Sequence, residues 1–130
     1  MADPAPVFID TSCLVAHALG ETGSRRVQAL MMRASRRYAS GLAEAELMAA
    51  LRREGFGADY GAVPGLEWIS PSRRLTPELA RVLAAGYVRG ADAWHIACAL
   101  LIDPSAKELT FLTLDERQRE VAVALGFKTR

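Results

Sequence analysis

The sequence predicts an α/β fold: a central parallel sheet of four to five strands with helices on both faces. Three observations predict it. Short β-favouring runs alternate with segments of helical period along the whole chain. The strand-like runs are almost continuously apolar, as strands covered on both faces must be. The chain has 130 residues, 51% of them hydrophobic, with no internal repeat or low-complexity linker. That length fits one domain over residues 1–130.

Val7-Phe8-Ile9 follows Pro6 and reads as the first buried strand. Asp10-Thr11-Ser12 interrupts it, and Leu14, Val15, Ala18 and Leu19 then recur at helical spacing up to Gly20. A second helix is predicted from Gly23 to Ala34, with Val27, Leu30 and Met31 on one face. Arg37-Tyr38-Ala39-Ser40 is a short strand, and Leu42 to Arg53 a helix ended by Gly55. Four glycines and Pro64 over residues 55–66 predict a loop or a short broken helix. Leu66 to Ile69 is the third strand. Thr76-Pro77-Glu78 opens the next helix, with Thr76 as N-cap and Pro77 in the first helical position. Asp92 begins a very apolar helix that runs to Ile102. Leu109 to Leu112 is the fourth strand, Glu116 to Leu125 the last helix before Gly126, and Phe127-Lys128-Thr129 an edge strand.

Charge narrows the function. Sixteen basic residues against 15 acidic leave a net charge of +1, which excludes a simple polycationic nucleic-acid binder. It leaves room for a nucleic-acid enzyme with an acidic centre and a basic rim. The basic residues are 14 Arg and 2 Lys, with four Arg pairs at 25–26, 36–37, 52–53 and 73–74. Arg suits bidentate phosphate contacts, although a solvated surface accounts for any one pair equally simply. The longest stretches without charge, Thr11 to Gly20 and Ala93 to Ile102, are ten residues each, half of what a membrane-spanning helix needs. The opening Met-Ala-Asp-Pro-Ala-Pro carries no secretory pattern. Cys13 and Cys98 sit in apolar patterns and read as reduced core residues of a cytoplasmic protein.

In open parallel sheets, ligands bind beyond the carboxyl ends of the strands, at the point where strand order switches. That rule singles out Asp10, after the first strand, and Asp115, after the fourth. Asp92 opens an apolar helix, and Glu46 lies inside another between Ala45 and Leu47. Four clustered carboxylates repel one another and stay ionised together when a cation lies among them. Oxygen ligands suit Mg²⁺ or Mn²⁺, and such an ion is the equipment for phosphodiester hydrolysis.

Each acid also has a plainer reading. Asp10 and Asp92 are good N-caps. Thr113 to Glu116 matches a capping box, with Asp115 an ordinary first-turn acid. Glu46 resists that treatment, because an acid among buried neighbours needs a partner; Glu44 is the one expected in solvent. His95, one turn after Asp92, reads as a satisfied structural residue, the alternative being a bond to Asp92 or a shared metal. His17 reads as structural. No G-x-S-x-G elbow, Walker motif or G-x-G-x-x-G occurs in the chain.

Taken together, Phe-Ile-Asp-Thr-Ser, Ala-Glu-Leu-Met-Ala-Ala-Leu-Arg-Arg, Ala-Asp-Ala-Trp-His-Ile-Ala and Phe-Leu-Thr-Leu-Asp-Glu-Arg, with their acids 36, 46 and 23 residues apart, resemble the PIN-domain ribonucleases. The resemblance is to the VapC-type toxins of toxin–antitoxin pairs and covers residues 7–127. It implies an α/β/α sandwich, an endoribonuclease dependent on Mg²⁺ or Mn²⁺, an RNA substrate, an antitoxin protein that covers the site, and a homodimer. Carried over by position, Asp10, Glu46, Asp92 and Asp115 are the catalytic acids, with Asp10, Asp92 and Asp115 on the metal. Thr11, Ser12 and Thr113 fall where hydroxyls approach the water or phosphate. Arg52 and Arg53, about two helical turns after Glu46, are the expected phosphate contacts on the rim. One departure stands out: family members carry a further helix where this chain has the glycine-rich stretch before Leu66.

Other classes fit less well. A PIN-fold nuclease acting on DNA or structured RNA is the nearest alternative. A non-catalytic PIN-fold module for RNA or protein binding would not need all four acids. A phosphoacceptor receiver domain needs a Lys after a late strand, and the only lysines are Lys107 and Lys128.

Overall fold

The computed structural model describes residues 4–21, 24–57 and 63–130. Five strands form one sheet: β1 (Val7–Ile9), β2 (Arg37–Ser40), β3 (Leu66–Ile69), β4 (Thr110–Leu112) and β5 (Lys128–Thr129). Their order is β3-β2-β1-β4-β5, and every pairing is parallel. The helices are α1 (Thr11–Leu19), α2 (Ser24–Arg33), α3 (Gly41–Arg53), α4 (Thr76–Ala85), α5 (Gly90–Ile102) and α6 (Glu116–Leu125).

The side-chain period of two sorts the strands onto two cores. Val7, Ile9, Ala39 and Leu112 point to one face and pack with Leu14, Met31, Leu47 and Leu51 from α1–α3. Phe8, Tyr38 and Phe111 point to the other and pack with Val82, Ile96, Leu100 and Val121 from α4–α6. Phe8 and Phe111 stack with ring centroids 5.8 Å apart. The result is the α/β/α sandwich the sequence predicted. Cys13 and Cys98 are free thiols in these cores, and burial pushes both up to about 12. Among the described residues no helix is long and apolar enough to cross a membrane.

From β1 the chain steps outward to β2 and β3, then returns across the sheet to place β4 against the free side of β1. Val7, Phe8 and Ile9 pair with Thr110, Phe111 and Leu112. The strand order therefore switches between β1 and β4, and the residues that follow them, Asp10 and Thr113, stand side by side.

Element ends differ from the sequence reading at helix starts. α5 begins at Gly90, so Asp92 is a first-turn residue and not the N-cap; Arg89 holds that position without a side-chain cap bond. α4 begins at Thr76, with Leu75 as its N-cap, one residue before the predicted cap. At α6 the capping box gives way to a cap by Asp115 itself, whose Oδ1 accepts from Gln118 N at 2.7 Å. Asp10 caps α1 as expected, accepting from Ser12 N at 3.0 Å. The fourth strand starts at Thr110, and α2 covers Ser24–Arg33. Gly23 and residues 58–62 of the predicted glycine-rich loop lie outside the described residues.

Candidate active site

Asp10 and Thr113 end neighbouring strands, and Gln118 ties them together. The Gln118 side chain is wholly buried on the first turns of α6. Its Nε2 donates to Asp10 Oδ1 at 3.1 Å and to the Asp92 carbonyl oxygen at 3.3 Å. Its Oε1 accepts from Thr113 Oγ1 at 2.6 Å. A threonine hydroxyl has one proton to give, so the longer 3.4 Å approach of Thr113 Oγ1 to Asp10 Oδ2 is the weaker contact. Asp115 N donates to the same hydroxyl at 3.0 Å, and Leu114 N to Ser12 Oγ at 3.0 Å. The loop after β4 is thereby fastened to the first turn of α1.

A second network starts at Glu46, on the turn of α3 that faces α1 and α5. Its Oε1 accepts from Thr11 Oγ1 at 2.8 Å and lies 2.6 Å from His95 Nε2. On the other side of the imidazole, Nδ1 lies 2.7 Å from Ser40 Oγ, which also receives Ala43 N as the N-cap of α3. Nε2 faces a carboxylate oxygen and carries a proton, while Nδ1 and Ser40 Oγ share the bond on the far side of the ring. His95 is a satisfied bridge from β2 to Glu46. It does not bond Asp92, the alternative its spacing left open. Glu46 keeps 36% of its side chain exposed, and both bonds fall on Oε1. Glu44, expected in solvent, is half-buried on the same helix.

Asp92 completes the group from α5. Burial, then Asp10 and Asp115, push its carboxyl above the usual carboxylate range; Glu46 adds to this and His95 opposes it. Four acids from four elements thus share one electrostatic neighbourhood at the carboxyl edge of the sheet. They are not drawn up to ligand spacing: among the described residues no three of His, Cys, Asp or Glu stand close enough to hold a metal ion as they are. The donor chemistry, all oxygen and all anionic, suits a hard divalent cation. Among the described residues, no buried side-chain nitrogen or oxygen lacks a partner.

The match to known proteins accords with this arrangement. Residues 7–124 match the model of the PIN domain. The chain belongs to the PIN-domain family. It is also 30% identical over 125 residues to Ribonuclease VapC46 of Mycobacterium tuberculosis, an alignment covering 94% of each chain. In this PIN domain the acids at 10, 46, 92 and 115, with Thr11, Ser12 and Thr113, meet at one edge. Arg52 and Arg53 do not join them. Both are exposed at the carboxyl end of α3, six and seven residues beyond Glu46, which is about 9–10 Å further along the axis. Arg53 lies 3.6 Å from Glu54. Sequence reasoning missed Ser40 and Gln118. Each looks like an ordinary cap or surface residue until its partner arrives from 55 or 108 positions away.

Proposed function

We propose that this PIN domain is an endoribonuclease of toxin type, hydrolysing RNA phosphodiester bonds with Mg²⁺ or Mn²⁺. The observation that carries the reading is the convergence of Asp10, Glu46, Asp92 and Asp115, from four elements, on the carboxyl edge of the sheet, where burial first and then Asp10 and Asp115 raise the Asp92 carboxyl. Four acids that make one another's ionisation costly at the carboxyl edge of the sheet suit a cation, with His95 offsetting only part of the repulsion. Asp10, Asp92 and Asp115 would hold it. When bound, such an ion lowers the pKa of a water and offsets negative charge on the phosphate oxygens.

The chain's own groups supply the rest. Glu46 Oε2 accepts the proton of the attacking water, while Thr11 and His95 on Oε1 fix the carboxylate plane. Gln118 fixes Asp10 in the same way. Thr11, Ser12 and Thr113 line the path of the phosphate, and Arg52 and Arg53 form an outer basic rim. The resemblance to VapC-type toxins extends the reading to an antitoxin partner and to a pair of identical chains.

The test is incubation with total RNA, with and without EDTA. Cleavage should require Mg²⁺ or Mn²⁺ and leave 5′-phosphate and 3′-hydroxyl ends. Cleavage in excess chelator would overturn the metal role. A 2′,3′-cyclic phosphate would assign attack to the RNA's own 2′-hydroxyl.

A further inference from the structure

Beyond the acids, along the same edge of the sheet, the chain builds a groove that the chemistry above does not use. Two adjoining hollows of about 490 and 260 Å³ lie over the carboxyl ends of β2 and β3. Trp94 and Pro71 line both. Leu75, Leu79 and Arg74 close the first, and Gly41, Leu42 and Ile69 the second. Trp94 is half-buried and packs down on the α4–α6 core, so its ring is held in place. Its chain neighbour His95 is tied to Ser40, and Ser40 pairs with Ile69 across β2 and β3. Gly41 permits the close wall: a Cβ there would stand 3.0 Å from Ser70 Oγ. The groove thus begins one strand from Asp10, and strands are about 5 Å apart.

Its charge is selective. Arg73 is occupied by Glu78, at 2.6 and 3.1 Å. Arg74 is exposed, and among the described residues its side chain makes no ion pair or hydrogen bond. A rigid indole beside one unneutralised guanidinium, next to the acids, matches a nucleotide: a flat π-face for the base and a cation for the phosphate.

We propose that this groove is the subsite for the nucleotide flanking the cleaved bond, with its base stacked on Trp94 and its phosphate on Arg74. The proposal rests on the ribonuclease reading and adds a determinant of which RNA is cut. Stacking tolerates every base but favours purines, the larger rings, so cleavage should be biased toward sites with a purine at this position.

The experiment separates the two readings. Intrinsic tryptophan fluorescence is followed while a short single-stranded RNA is added to the protein in EDTA, with RNA binding read independently by anisotropy of a labelled strand. The chain has two tryptophans, and Trp68 packs on the opposite face of the sheet. RNA should quench the native protein and Trp68→Phe, but not Trp94→Phe. Trp94→Ala should weaken binding about 5- to 100-fold and raise KM with little change in kcat, while Trp94→Phe retains most of the affinity. Arg74→Glu should reduce the salt slope by about one phosphate contact. RNA that binds and is cleaved while Trp94 stays silent overturns the subsite and leaves the ribonuclease reading standing. Quenching by RNA with no cleavage under any divalent ion leaves an RNA-binding groove but overturns the nuclease, and with it the groove's place beside a cleaved bond. A groove silent to RNA but quenched by a protein partner is a protein-docking surface, and the proposal fails.

Discussion

Gln118 donates a hydrogen bond to Asp10 across 108 residues of sequence, from the first turns of the last helix to the end of the first strand. The bond joins the two halves of the sheet at the point where strand order switches. Gln118 holds Oδ1 while the cap bond from Ser12 N holds Oδ2, so the carboxylate plane of Asp10 is fixed, and Gln118 supplies its part without bringing another charge. It is a positioning residue. Gln118→Leu should leave Asp10 and Thr113 with unmet hydrogen bonds in a buried setting. Activity should fall about 10- to 100-fold, with kcat rather than KM carrying the change. The fold should lose about 1–3 kcal/mol by urea titration. Full activity in this variant would mean that Asp10 is held by its cap position alone.

Ser40 has two duties, as N-cap of α3 and as the hydrogen-bond partner of His95 Nδ1. Ser40→Ala should cost about 1–2 kcal/mol in stability, and more than a cap alone, because His95 Nδ1 loses its buried hydrogen-bond partner. Ser40→Thr keeps a hydroxyl and should restore part of the loss. Equal stability of the Ala variant and the native chain would show that the Ser40–His95 bond carries no weight in the fold.

Strands and most helix ends were legible in the sequence because they are written locally. Val7-Phe8-Ile9 is apolar on both faces, and Gly20, Gly55 and Gly126 each take a positive φ after a helix. The acids at strand ends followed from the same local pattern plus the switch-point rule. Helix starts were less legible, since two or three neighbouring residues compete to cap. α5 opens at Gly90, two residues before the predicted start, which turns Asp92 from cap to first-turn acid. The partners of the acids were not legible at all. Nothing near Gln118 or Ser40 in the chain hints at Asp10 or His95; only the strand order brings them together.

Asp103 offers a pH test away from the acids. Burial works against its ionisation, but the backbone N–H groups of Leu109 and Glu108 outweigh it and hold the carboxyl below the usual range. Its Oδ2 accepts from Glu108 N at 2.8 Å and Leu109 N at 3.0 Å, fastening the turn from α5 into β4. A lowered folded-state value means stability that is present above the unfolded value and lost as pH falls through the folded one. Asp103→Asn removes the charge and keeps an acceptor. At neutral pH it should be less stable than the native chain by about 1 kcal/mol. The gap should close on acidification through the folded-state value. A gap that persists in acid would assign the effect to shape rather than charge.

The acids themselves predict different melting behaviour from two similar substitutions. Asp92 makes no side-chain cap bond, and its carboxyl is raised by burial and by Asp10 and Asp115. Its charge therefore opposes folding at neutral pH when no cation is present. Asp92→Asn should melt a few degrees higher in EDTA, lose activity by about 100-fold or more, and gain less stability from added Mg²⁺ or Mn²⁺. Glu46 differs because its Oε1 already satisfies Thr11 and His95. Glu46→Gln should lose activity to a similar extent without melting higher, since it weakens the bond to His95 while relieving repulsion. Glu44→Gln, on the same helix but two residues earlier, should keep most of its activity. Differential scanning of the three variants in EDTA and in Mg²⁺, beside a cleavage assay, reads all of this at once. If Asp92→Asn leaves both activity and metal response unchanged, the carboxylate site is wrong. If Glu44 rather than Glu46 proves essential, the second acid has been placed two residues too late.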